Sequence, residues 1–303
     1  MRILISGSSG LIGLAVAQTL AEQGHTVSRL LRPQTRAAAI DGDVRWDPYS
    51  GDFDSQAAEG ADAVIHLAGA SIGEGRWTDE RKTVLRTSRV EATKHLVASL
   101  AALSSCPRIF ICASAVGYFG DRGDEKLTDH AGPGNDFLAK LCCDWEQEAG
   151  HAAEFGARVV MLRFGIVLST RGGALPRMLT PIKMFVGGRI GSGKQWMSWI
   201  TLADVVGAVQ FALENKFATG AFNCVSPEPV RNSEFIKTTA RVLQRPAIFP
   251  APAFALRLML GEMADALLLS SQRAVPDKLQ LLGYEFGDPE LGNALGKIIS
   301  EGK

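Results

Sequence analysis

SGSSGLIG, residues 6–13, follows the apolar run Ile3, Leu4 and Ile5 and leads into the helix-like segment LAVAQTLAEQ. Three glycines, Gly7, Gly10 and Gly13, stand three apart where a strand gives way to a helix. One reading is mechanical, because glycine takes tight backbone turns without strain. The other is chemical. In a strand–turn–helix of this kind the first glycine makes the turn and the second clears a Cβ from the path of a pyrophosphate. The third lets the helix pack closely on the sheet. The helix N-terminus adds unpaired N–H groups and a partial positive charge of roughly half a unit. Ser9, Leu11 and Ile12 complete the backbone that would line such a phosphate site.

The neighbouring sequence favours the chemical reading. RILIS (2–6), HTVSRLL (25–31), ADAVIHLAG (61–69), RIFICAS (108–114) and RVVMLRFGIVL (158–168) read as strands. They are apolar without alternation. Helical stretches such as 79–103 and 138–155 separate them. That pattern predicts an α/β protein, a Rossmann-type doubly wound parallel sheet covered on both faces. Beyond about residue 170 glycine and proline become dense, and helices are expected over 202–216 and 233–244. The expected organisation is a nucleotide-binding domain over 1–170, with a return near 200–226. Residues 171–303 would form mostly a smaller C-terminal substrate lobe.

Bulk properties narrow the partners. The 303 residues carry 46% hydrophobic and 21% charged side chains, which suits a globular protein with a substantial core. Lys plus Arg and Asp plus Glu each total 32, so the balance offers no electrostatic reason to propose nucleic acid or an anionic membrane. Five cysteines form no CxxC pair and five histidines are scattered, which argues for reduced thiols and against a metal site. The stretch 252–269 is broken by Arg257, Glu262 and Asp265 and reads as a buried or amphipathic helix, not a membrane span. The first strand begins almost at Met1, so a cytoplasmic protein is expected.

The end of the second strand bears on which nucleotide is bound. A site for NAD places an acid there, about 20 residues past the turn, to hold the ribose hydroxyls. Leu31 occupies that place and Arg32 follows, with Arg29 a second cation in the strand. A guanidinium suits a 2′-phosphate by charge and by its forked donors. NADP(H) is therefore expected in preference to NAD(H). At the next strand end His66, Leu67, Ala68 and Gly69 should pass beside the cofactor, although a lone histidine in an apolar strand also suits the core.

GSSGLIG, HLAG and CASAVGYFG together resemble the extended short-chain dehydrogenase/reductases, the group that includes nucleotide-sugar epimerases. GEGRWTDERK, DFLAKLCCDWE, GGALPRML, GGRIGSGKQWMSWI and PAFALRLMLGEM resemble an atypical branch, the epimerase-family proteins, sometimes labelled cell-division-inhibitor-like. The resemblance covers nearly the whole chain. It implies an NADP(H)-binding Rossmann domain and a small substrate lobe. It also implies a Ser, Tyr and Lys active site in which tyrosine moves a proton while hydride passes to or from nicotinamide.

Ser114 matches the family serine. With DWE aligned on the usual acid of that helix, Leu138 stands at the tyrosine position and Cys142 at the lysine position. Lys140 is two residues from Cys142, about 200° around a helix, and should face away. Tyr118, four residues past Ser114, is the surrogate acid under consideration, with a structural or substrate-contacting role as the alternative. The resemblance also places Lys82 and Ser88 near the cofactor. Gly165 and Ile166, just past a strand, would present backbone groups to the nicotinamide.

In the second lobe Lys194, Gln195, Trp196 and Trp199 would contact a polar substrate, unless the tryptophans are core. Asp204 is expected to cap the helix that begins near Val205. Two functions remain open from the sequence. One is an oxidoreductase or epimerase acting on a small polar or nucleotide-linked substrate. The other is a non-catalytic NADP(H)-binding sensor or partner-docking protein that has lost its Tyr/Lys pair.

Overall fold

The computed structural model describes residues 1–33 and 42–302. Apolar strands that must be buried on both faces assemble into one seven-stranded sheet, ordered β11-β7-β5-β4-β1-β2-β3. Its members are β1 (Arg2–Ser6), β2 (Thr26–Leu31), β3 (Val44–Arg45), β4 (Ala63–His66), β5 (Ile109–Ala115), β7 (Arg158–Phe164) and β11 (Gly220–Cys224). Every pairing within it is parallel. Ile3, Leu4, Ile5, Val64, Ile65, Phe110 and Ile111 are wholly buried at its centre. The chain winds outward in opposite directions from β1, through β2 on one side and β4 on the other. Their C-terminal ends therefore border the crevice where this architecture binds ligands.

Short strands tie the rest together: β6 (Lys126–Leu127) pairs with β13 (Arg273–Ala274), β8 (Ile166–Leu168) with β10 (Trp199–Thr201), and β9 (Trp196–Met197) with β12 (Val230–Arg231). A second apolar cluster, around Leu175, Leu179, Trp199, Phe235 and Leu295, lies apart from the sheet's core.

Several expected elements change their bounds for local reasons. The single strand 158–168 is two strands, because at Gly165 a Cβ would lie 2.6 Å from the Ser198 carbonyl oxygen and the backbones must pass there. The segment 252–269 breaks at Gly261, whose φ is +63°, and its first helix, Ala253–Leu260, buries none of its residues. Asp204 does not cap a helix at Val205. The helix is Leu202–Glu214, Thr201 is its cap, and the Asp204 carboxylate instead accepts from the Gly287 amide at 2.7 Å.

Candidate functional site

The glycine turn has the shape a phosphate site needs. Gly7 has φ +69°, and a Cβ on it would lie 2.7 Å from the Leu67 carbonyl carbon and oxygen. A Cβ on Gly13 would lie 2.2 Å from the Gly7 oxygen, so helix Leu11–Glu22 presses directly on the turn. Gly10 caps that helix with no side-chain hydrogen bond, and no acid stands in the first turn. Its N-terminal amides and dipole are left to an anion. Ser9 and Gly10 are exposed, and Leu11 and Ile12 half-buried, along this edge. The cradle fits a dinucleotide's diphosphate.

Gly7 abuts the segment after β4, so the structure brings the glycine turn and residues 67–69 together. Of the two roles open to His66, the side chain takes the core one. Its side chain is fully buried, and only the backbone beyond it reaches the crevice. The Ser6 hydroxyl accepts from the amides of Leu67 at 3.1 Å and Ala68 at 3.3 Å. It therefore donates to His66 Nδ1 at 2.6 Å, and His66 Nε2–H donates to Thr93 Oγ1 at 3.0 Å. The imidazole is a neutral strap that positions the loop, and burial pulls its pKa down to about 3. Ser88 works on the same loop by accepting from the Ala70 amide at 3.1 Å. Arg89, which sequence reasoning missed, donates to the Ala70 carbonyl at 2.9 Å and lies over the Trp145 ring at 5.3 Å.

Within β2, Arg29 is committed to Asp43 through a forked pair, Nε–Oδ1 2.9 Å and Nη2–Oδ2 2.5 Å. Arg32 is exposed at the strand end. Lys82 is not aimed into the glycine crevice: its ammonium pairs with Glu262 and lies 5.2 Å from the Phe137 ring centroid. The Gly165 and Ile166 amides are spent on the carbonyls of Cys224 at 3.2 Å and Ser198 at 2.8 Å. Any ligand contact there falls to other atoms of these two residues.

Parallel register sets Ser114 of β5 beside Arg163 of β7. Between them stands Glu146, projected from helix Phe137–Gly150. Arg163 grips its carboxylate at 2.7 and 2.8 Å, and the Ser114 hydroxyl donates to the same carboxylate at 2.6 Å. The Arg163 guanidinium also lies 3.5 Å from the Tyr118 ring centroid. Burial raises the Tyr118 pKa against the opposing pull of Arg163, so the phenol holds its proton through the neutral range. Ser114 and Tyr118 thus belong to one cluster, linked through Glu146 and Arg163. The Glu146–Arg163 pair that organises it was not foreseen.

Comparison with known proteins supplies the family. Residues 3–224 match the NAD dependent epimerase/dehydratase family. The chain belongs to that family. Residues 251–298 match a domain of unknown function, DUF1731. An epimerase family protein of Mycobacterium bovis is 42% identical over 97% of this chain and 96% of its own. One from Staphylococcus aureus is 36% identical over 98% and 99%. The crystal structure of human epimerase family protein SDR39U1 with NADPH superposes with a TM-score of 0.89 at 31% identity, covering 99% of both chains.

Within the family frame, the positions expected for tyrosine and lysine hold Leu138 and Cys142, both buried. Burial pushes the Cys142 thiol up to about 12, so it supplies neither charge nor a nucleophile. Lys140 is exposed, two residues from that face. Two expected substrate contacts are corrected. Trp199 is fully buried and donates its indole N–H to the Glu228 carbonyl at 3.0 Å, which makes it core. Gln195 is buried and spends its amide on the carbonyls of Ile190 and Leu268. Lys194 is exposed, and Trp196 is held between Arg231 and Arg273 at 4.6 and 4.5 Å.

A cavity of about 210 Å³ is lined instead by Trp77 and Phe137 together with Arg257, Glu262 and Asp265. Trp77 and Phe137 meet edge to face, their centroids 5.4 Å apart. Among the described residues no cluster of ligands suits a metal ion, and no helix is long and apolar enough to cross a membrane.

Proposed function

We propose that the chain is an NADP(H)-dependent oxidoreductase or epimerase acting on a small polar substrate. The observation that carries this reading is the uncapped helix N-terminus behind the Gly7–Gly13 turn, where added Cβ atoms would strike backbone. Gly7, Ser9, Gly10, Leu11, Ile12 and Gly13 would hold the diphosphate, Arg32 the 2′-phosphate, and the backbone of Leu67, Ala68 and Gly69 the adjoining ribose. Ser88 positions that loop, and Ile166 borders the nicotinamide end. The nicotinamide, when bound, supplies or accepts hydride.

The chain's own groups divide the proton work. Ser114 donates its proton to Glu146, so it meets a substrate hydroxyl as an acceptor. Tyr118 keeps its proton and is the group able to donate to a carbonyl oxygen. A substrate taken into the cavity beside Trp77 and Phe137 would be small and not nucleotide-linked. The cavity lining includes Asp121, Asp136, Glu262 and Asp265 with Arg257 as sole cation, and Arg257 is already paired with Asp265. A diphosphate would meet like charge there.

A second reading has its own observation. Leu138 and the neutral Cys142 leave the usual proton machinery empty, which suits a non-catalytic NADP(H) sensor. Calorimetry with NADPH and NADH, on the wild type and Arg32→Ala, tests the cofactor assignment. Loss of NADPH affinity in the variant, without loss for NADH, is the expected result. Equal affinity of the wild type for both cofactors would remove the NADP preference. An NADPH-absorbance screen over carbonyl compounds then separates enzyme from sensor. Turnover lost in Ser114→Ala and Tyr118→Phe supports the enzyme, and tight binding without turnover supports the sensor.

A further inference from the structure

The zero net charge conceals a segregation. Residues 171–203 and 233–261 contain nine of the 32 basic residues and only one of the 32 acidic ones, Glu234. The two segments lie against each other: the Phe249 amide donates to the Gly187 carbonyl at 3.0 Å, and the Ala251 amide to the Arg189 carbonyl at 2.9 Å. A cleft of about 220 Å³ opens at this contact, lined by Arg189, Lys237 and apolar residues including Ile236 and Ile248, with no carboxylate. Lys183, Arg189, Lys237, Arg241 and Arg245 are all exposed. Among the described residues none of them forms an ion pair with a carboxylate.

Large apolar side chains project from the same place. Met184, Phe185 and Val186 are 65, 49 and 59% exposed, and Ile248 and Phe249 are 72 and 56% exposed. Monomers seldom leave such side chains contiguous in water. Phe185 has φ +64°, a conformation rarely taken by a bulky residue, and the Arg245 guanidinium lies 4.8 Å from its ring centroid. Both non-glycine residues with positive φ among those described, Phe185 and Gln244, belong to this face.

We propose that this face docks on the surface of an anionic phospholipid bilayer. Five exposed cations outnumber the one carboxylate among them, Glu234, which stands a turn before Lys237 on the helix Asn232–Leu243; they meet the acidic headgroups, while the protruding Met, Phe, Val and Ile side chains enter the layer beneath. Nucleic acid or an acidic protein would satisfy the charge but leave the apolar tips in water. The charge match selects acidic over neutral lipid.

Flotation with vesicles of phosphatidylcholine alone, or containing about one-third phosphatidylglycerol, tests this on the whole chain. The wild type should partition onto the anionic vesicles, less onto neutral ones, and less as salt rises. Lys237→Ala with Arg241→Ala should weaken partition by about 25-fold, at roughly fivefold per cation. Phe185→Ser with Ile248→Ser should weaken it by about tenfold or more. Because these side chains are exposed, thermal midpoints should hold and show that each variant is folded. Failure of the wild type to float with anionic vesicles would overturn the proposal, as would equal flotation of the variants. Tighter binding to a duplex oligonucleotide than to vesicles would do the same. So would a dimer by light scattering that the Phe185→Ser/Ile248→Ser variant dissolves, since a second copy would then be the occupant.

Discussion

Acid should unfold this protein in part through His66. The imidazole is fully buried, and its pKa is held at about 3, against 6.5 in an open chain. Between those values the unfolded chain binds a proton that the folded chain refuses, so stability rises with pH across the window. The contribution is fully present above about pH 6.5 and drains away as the pH falls toward 3. At pH 5 the deficit relative to pH 7 comes to roughly 2 kcal/mol, and its ceiling is about 5 kcal/mol. The decisive comparison is urea unfolding of the wild type and His66→Gln at both pH values. Glutamine does not titrate, so carboxylate effects common to the two proteins cancel in the difference. The wild type should lose roughly 2 kcal/mol more than the variant on going to pH 5. Equal losses would refute the reasoning, as would an NMR titration showing the His66 ring protonated above pH 5. Because the folded chain keeps His66 neutral down to about pH 3, its strap through Ser6 to Leu67 and Ala68 should persist across this window, and His66 should add no pH dependence to the calorimetric NADPH affinity of the folded protein above about pH 4.

Two further outcomes follow from contacts already described. Gly13→Ala places a Cβ 2.2 Å from the Gly7 oxygen, so NADPH affinity by calorimetry should drop by about tenfold or more, whereas Gly132→Ala, into open space, should leave it unchanged. Glu146→Leu strands the buried Arg163 cation and should cost about 3–5 kcal/mol in denaturant unfolding, most of which Glu146→Leu with Arg163→Met should recover.

What the sequence disclosed, and what it withheld, follows the range of the forces involved. The roles of Gly7 and Gly13 are legible because their reasons are local: a positive φ and a helix pressing on its own preceding turn. The strands were legible because parallel strands buried on both faces must be apolar throughout. The Glu146–Arg163 pair was hidden because it depends on register. Only when β5 and β7 lie with Ser114 opposite Arg163 does a carboxylate from the helix Phe137–Gly150 reach both. Trp196 and Trp199 defeated the reading for a related reason. They lie three residues apart in one short segment, yet one ring is held among surface arginines and the other is buried in the second core. No local pattern separates them, because tertiary packing decides which indole is covered.

Net charge is the plainest case of a sequence property that misleads when summed. Screening confines electrostatic attraction to roughly 8–10 Å at physiological ionic strength, so a partner responds to the charges on the face it meets and not to the total. With 32 residues of each sign, the balance argued against an anionic surface as partner. Yet a face with a single acid, Glu234, among its cations leaves the rest of the molecule with an acidic excess, and part of that excess lines the cavity beside Trp77 as Asp121, Asp136, Glu262 and Asp265. One segregation therefore bears on two recognitions. It sets cations beside exposed Phe185 and Ile248, and it places carboxylates on the cavity wall, where a diphosphate would meet like charge. A screen in which sugar nucleotides bound the NADPH-saturated protein as tightly as uncharged sugars would show that the acidic wall exerts no such selection.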